Sequence, residues 1–217
     1  YNKEKIDFSK KEKIITFVGK LNSAKGYDLF GKAIIKILNQ FKDWKAIVIG
    51  DEPREQLIFK HKKLTNKGFQ VHKKVLDIFK KTSISVACSR WEEPFGRTSL
   101  EAASRGCAVI ISNRGGLPET ITNGVIIKNL TFFNIYKEIK KLIINKKERT
   151  KLQKLSLKNF YLTDEFVCKK IDNYREKLNV NHKLIYLISK KKEKLKILHV
   201  TNFNERHNGR LFYNTGK

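Results

Sequence analysis

Between positions 89 and 119 the chain reads SRWEEPFGRTSLEAASRGCAVIISNRGGLPE, and it holds two carboxylates eight positions apart, Glu93 and Glu101. They flank Pro94, Phe95 and Gly96. Glu93 follows the apolar run SISVACS, which places it at the carboxyl end of a buried strand. Glu101 lies roughly two turns into the following helix, near its N-terminal part. Two carboxylates so placed can accept hydrogen bonds from hydroxyl groups on two parts of one extended polar ligand. Backbone N–H groups at the helix start, between them, can meet an anion, and Gly96 lets a ligand approach the backbone closely. A second element is the loop GKLNSAKG, which sets Gly19-Lys20 and Lys25-Gly26 just before a helix. Ammonium groups beside free N–H donors are what a diphosphate requires. A third is RGGLPE (114–119), another glycine turn after a strand end.

Those loops need strands to carry them. Apolar runs at 14–18 (IITFV), 46–50 (AIVIG), 83–89 (SISVACS), 107–112 (CAVIIS) and 125–128 (VIIK) read as strands, with a short one around 69–71. Residues 27–41 place Leu29, Phe30, Ala33, Ile34, Ile37, Leu38 and Phe41 at helical spacing. Further helices are expected over 53–65, a polar one, over 74–82, and over 94–106, with Gly106 as its C-cap. A short helix follows within 114–124, and 137–174 reads as almost wholly helical. Strands alternating with helices and apolar on both faces give an α/β fold, a Rossmann-like, doubly wound parallel sheet. Ligands of such sheets bind beyond the carboxyl ends of the strands, where all three loops converge. The expected organisation is a linker at 1–12, the domain at 13–180, and at 181–217 a linker and the start of a further Rossmann-type domain. That last expectation rests on the run ILHV (197–200) and the glycine-containing loop after it. A terminal strand added to the first sheet is the alternative.

Composition narrows the function classes. The 217 residues include 47 Lys and Arg against 21 Asp and Glu, a formal charge of +26. The lysines are scattered along the chain with abundant Ile, Asn and Phe, the joint excess an AT-rich genome gives. No zinc finger, basic heptad repeat or RNA-binding aromatic motif accompanies them, so nucleic acid is not expected as a partner. A basic face could instead rest on an anionic membrane. No run reaches the ~20 apolar residues of a membrane span. Cys88, Cys107 and Cys168 form no paired motif, which fits a reducing cytosol and gives neither a disulfide framework nor a zinc site. The five histidines show no ligand spacing and read as surface or packing residues.

With these motifs in hand, the chain resembles the C-terminal domain of the retaining glycosyltransferases of family 4, or group 1, enzymes of two Rossmann-like domains known as the GT-B fold. The resemblance covers about 13–178 and is carried by EPFGRTSLE with the E-x7-E spacing, by GGLPE, and by GKLNSAKG as the phosphate loop. It implies that Lys20 and Lys25 hold the diphosphate and stabilise the leaving group. Glu93 would lie by the donor sugar's hydroxyls, with Gly19, Phe95 and Gly96 offering contacts to sugar or phosphate. Ser99 and Leu100 would line the nucleotide pocket, and Glu101 would take the ribose hydroxyls. Position 20 departs from the family, which usually has Arg there; Lys keeps the charge but lacks the guanidinium fork.

The resemblance also implies a nucleotide-diphosphate sugar as donor substrate, no metal or other cofactor, a glycan or lipid-linked acceptor, and a partnering N-terminal domain. The chain, opening in polar sequence without Met, reads as an excerpt that binds donor. A cytoplasmic enzyme, peripheral on the inner membrane face and serving cell-envelope synthesis, is the expected setting. A non-catalytic sugar-nucleotide-binding or assembly module of the same fold is the main alternative. A sugar epimerase of this architecture would not be expected to carry the E-x7-E and GGLPE set.

Overall fold

A computed structural model of the chain describes residues 5–177. Six parallel strands form one sheet in the order β3-β2-β1-β4-β5-β6: β1 Glu12–Val18, β2 Lys45–Ile49, β3 Leu64–Asn66, β4 Thr82–Ala87, β5 Ala108–Ser112 and β6 Val125–Ile127. The chain moves outward from β1 to β3, returns to β4 beside β1, then moves outward again to β6. The order therefore reverses between β1 and β4, and in such sheets the crevice beyond that point is the natural ligand site. The α/β doubly wound reading holds.

Helices cover both faces. On one, α1 (Tyr27–Gln40) and α4 (Phe132–Ile144) lay Ile34, Ile37, Ile135 and Ile139 against Ile15, Phe17, Ile84 and Ile110 of the strands. On the other, α2 (His72–Lys81) and α3 (Arg97–Ser104) pack Val75, Phe79, Leu100 and Ala103 against Ile49, Val109 and Ile111. The central strands are buried on both faces because both faces are covered; β5 is buried at all five positions. Each fully buried Ile or Phe contributes about 2 kcal/mol relative to exposure. The C-cap of α3 is Arg105, one residue earlier than expected, and Gly106 follows it at φ +65, in the left-handed conformation that ends helices.

Two expectations fail beyond β2. Residues 53–65 form no helix but run as turns and extended chain, because Glu52 and Glu55 reach back to the loop before α1 while Leu57 and Phe59 pack inward. The edge strand is Leu64–Asn66, earlier than 69–71, where Phe69 and Val71 stay exposed. The long helical segment is divided into α4, α5 (Lys146–Lys158) and α6 (Asp164–Lys177). Asn145 both ends α4 and caps α5, its side chain accepting from Glu148 N.

Packing begins before position 13. Phe8–Lys10 form a turn of 3₁₀ helix, and the Phe8 ring lies close to Gly106. The Lys11 ammonium donates to the carbonyls of Phe79, Thr82 and Arg105 at 2.9, 2.9 and 2.7 Å, tying together the ends of α2 and α3. Residues 8–11, read as linker, are thus part of the folded unit. The chain divides into two compact units, 1–169 and 170–217. Of the second only the end of α6, to 177, is described, so the strand expected at 197–200 lies outside the described residues.

Candidate functional site

The three glycine-bearing loops meet at the carboxyl edge, around a cavity of about 360 Å³ over the ends of β1 and β4. Gly19 and Lys25 line it from the first loop, Glu93, Pro94, Phe95 and Gly96 from the second, Arg97 and Thr98 from the first turn of α3, and Leu117 from the third. The sequence of each loop explains its path. Gly26 opens α1 at φ +73, and a Cβ there would stand 1.9 Å from the Cys88 carbonyl oxygen. Only a residue without a side chain lets this loop touch the end of β4. Gly96 opens α3 in the same left-handed conformation, with no side-chain cap. Neither helix start has a side-chain cap from its N-cap residue, and the first turn of α3 lines the cavity.

The third loop is pressed onto the second. Gly116 N donates to Glu93 O at 2.6 Å, and a Cβ on Gly116 would meet Pro94 O at 2.6 Å. Arg114 pairs with Glu92 at 3.0 Å, and Gly115 N also donates to the Glu92 carboxylate. The adjacent acids thus part company. Glu92 ties two loops together at the surface, while Glu93, its side chain 11% exposed, turns inward and pairs with the Lys25 ammonium. This lysine–carboxylate pair on the cavity lining gives it a cation and an acceptor, the two groups a phosphate and a sugar hydroxyl need.

The first loop is held from outside the cavity. Ser23 donates to Glu55 through both its N–H and its hydroxyl, and Asn22 Nδ2 donates to Glu52 at 3.2 Å. Asn22 Oδ1 in turn accepts from Lys25 N at 2.9 Å. Arg90 clamps the far side, bidentate to Asp28 at 2.6 and 2.7 Å, and holds that carboxyl below the usual range. Burial pushes the Cys88 thiol up to about 12, so the wall behind Lys25 is neutral.

The remaining expected residues sit apart from the cavity lining. Lys20 is exposed beyond Gly19. Ser99 is buried, bonded to Gly96 O at 2.7 Å and to Thr120 Oγ1 at 2.6 Å. The Leu100 side chain belongs to the core under α3. Glu101 lies on α3 with its side chain 6% exposed, and its Oε1 is 3.1 Å from His72 Nε2 and 3.8 Å from an Arg97 nitrogen. Sequence reasoning did not find His72; nothing in its spacing relates the first residue of α2 to an acid 29 positions later. It also missed Asp28, Arg90, Glu52 and Glu55, whose charges read as solvated surface. Among the described residues, no group of three or more His, Cys, Asp or Glu is placed to hold a metal. No described helix is long and apolar enough to cross a membrane.

The chain matches the family Glycosyl transferases group 1 over residues 2–158. It is 29% identical over 167 residues to spore coat protein SA of Bacillus subtilis, covering 67% of this chain and 43% of that protein. It is also 29% identical over 132 residues to the lipopolysaccharide core biosynthesis mannosyltransferase LpsB of Rhizobium meliloti, covering 56% and 37% respectively. This chain thus spans less than half the length of either curated relative. Among solved structures, the C-terminal domain of the group 1 glycosyl transferase family protein LpcC from Francisella tularensis superimposes with a TM-score of 0.61 at 29% identity, covering 67% of this chain and 82% of that one. Motif, fold and matches agree: this chain belongs to the group 1 glycosyl transferases and has the fold of the family's C-terminal domain.

Proposed function

We propose that this chain is the donor-binding half of a retaining glycosyltransferase, moving a hexosyl group from a nucleotide-diphosphate sugar to a glycan or lipid-linked acceptor. The observation that carries the reading is the convergence of Lys25, Glu93 and the uncapped start of α3 on one cavity at the switch point of the sheet. Breaking the bond between the anomeric carbon and the diphosphate leaves negative charge on the phosphate oxygens. A pre-placed ammonium and helix-start N–H groups lower that barrier electrostatically. In this reading Lys25 takes the diphosphate, with Lys20 swinging in from the mouth. Glu93, released from Lys25, accepts from the sugar hydroxyls, and Phe95 and Gly96 offer backbone contacts beside it.

Gly19 leaves the floor open for the phosphates, since a Cβ there would meet nothing within 4 Å. Ser99 and Leu100 act through the backbone and packing of the first turn of α3. Glu101 takes the ribose. No metal takes part, because lysines and N–H dipoles already neutralise the leaving charge. The acceptor binds across the cleft on a preceding N-terminal domain. The named relatives in spore coat and lipopolysaccharide core synthesis support an envelope glycan as product. They fit an enzyme working at the cytoplasmic membrane face, where the basic surface attracts anionic lipid.

A thermal-shift panel of UDP, GDP and ADP with their common sugar conjugates tests this. A ligand at hundredfold excess over its Kd stabilises the fold by about 2.7 kcal/mol, a rise of roughly 5–10 °C in Tm for a domain of this size. A shift confined to one base identifies the donor; a folded chain that responds to none contradicts the reading.

A further inference from the structure

The carboxylate proposed above for the ribose is fixed from a second element of the fold. Glu101 sits in the middle of α3 with its side chain 6% exposed, a place where a carboxylate needs partners to be tolerated. His72 provides one from across the interface between α2 and α3. Its Nε2 lies 3.1 Å from Glu101 Oε1, a distance at which the ring N–H donates to the acid. The imidazole stands on the first residue of α2, its side chain half exposed. Arg97, one helical turn before Glu101, approaches the same oxygen at 3.8 Å, but its side chain is 70% exposed. Of the two, the imidazole is the closer to that oxygen.

We infer that His72 is a positioning residue for the nucleotide site, one that holds Glu101 in the rotamer that accepts from ribose hydroxyls and so determines preference for ribonucleotides. This rests on the donor-binding reading given above. Because His72 is not part of the buried core, its replacement leaves packing almost intact. Its removal should therefore be felt at the ribose and not along the whole ligand. A side chain with an amide nitrogen at the same reach, Gln, keeps the donor; Phe keeps the ring shape and removes it.

The experiment is calorimetry on the full chain with whichever nucleoside diphosphate the thermal panel selects, and with its 2′,3′-dideoxy counterpart. In the wild type the ribonucleotide should bind about tenfold more tightly, the difference of about one charge-assisted hydrogen bond. In His72→Phe the ratio should fall to about threefold or less, with the loss confined to the ribonucleotide, and His72→Gln should restore it. A ratio unchanged in His72→Phe would overturn the inference while leaving the donor site standing, as would an equal weakening of both ligands. A wild type that binds no nucleoside diphosphate would overturn the donor-binding reading and this inference with it.

Discussion

The two edges of this sheet use cations in opposite ways. At the amino edge the enclosed positive groups, Lys11 and Arg149, are committed to the backbone. The Lys11 ammonium is buried among three helix-end carbonyls, and that burial lowers its pKa. Arg149 donates to Leu142 O and Ile143 O at 2.6 and 3.0 Å, its guanidinium 5.1 Å from the Trp44 ring centroid. Gln153 satisfies Ser83 O at 3.0 Å. Lys11 and Arg149 thus answer the orphan carbonyls of helices that end at this edge. At the carboxyl edge α1 and α3 begin on left-handed glycines with no side-chain cap, and among the described residues the Lys25 ammonium pairs with Glu93, a partner on another loop. A backbone carbonyl at a helix end cannot be exchanged without unfolding the end. A side-chain carboxylate can turn away when a better anion arrives. The comparison separates cations that hold the fold from cations available to a ligand, although both are lysines and arginines in a chain full of them.

That contrast can be broken or sharpened by substitution. Lys11→Met leaves three carbonyls without their shared donor. It should cost about 3 kcal/mol and lower Tm by about 6–12 °C in thermal denaturation, with nucleotide affinity unchanged in the folded protein. Lys25→Ala should do the reverse. Loss of one charge-assisted contact weakens diphosphate binding by about 10- to 100-fold in calorimetry, with Tm altered by no more than a few degrees.

Glu93→Gln sharpens the same comparison, because it frees Lys25 without removing it. A free nucleoside diphosphate should then bind about threefold to tenfold more tightly, while the advantage of the sugar conjugate over the free diphosphate shrinks. The smallest effect belongs to Asp28, whose carboxyl is lowered from the ordinary value of 3.8 chiefly by its hydrogen bonds from Arg90. A lowered carboxyl contributes stability that is complete above its unfolded value and is lost as pH falls through the folded one. Asp28→Asn should therefore lower Tm slightly at neutral pH, where that stability is complete, and flatten the pH dependence of Tm below about pH 4.

What the sequence disclosed, and what it hid, follows the same physical division. Strands buried on both faces, such as SISVACS and CAVIIS, carry only small or apolar residues and no charge, and α1 shows its stripe at helical spacing, so the doubly wound sheet was legible. The glycine loops were legible because left-handed and close-approach positions demand glycine, as at Gly26 and Gly96. The segment 53–65 was misread because its order comes from Glu52 and Glu55 reaching the loop before α1 and from Phe59 packing beside Tyr27, contacts without any period. Edge strand β3 carries no buried residue and so no apolar signal. Lys11 was invisible as one basic residue among 47, since only the fold reveals which ammonium is enclosed. His72 was invisible for the related reason that its partner lies on another helix.

The most direct test of the central claim is a crystal structure of the chain with the nucleoside diphosphate selected by the thermal panel. The diphosphate should lie within hydrogen-bond distance of Lys25 Nζ and the first turn of α3, with Glu93 turned off the lysine and the ribose at Glu101. A nucleotide seated elsewhere, or one that leaves the Lys25–Glu93 pair intact, would contradict the account.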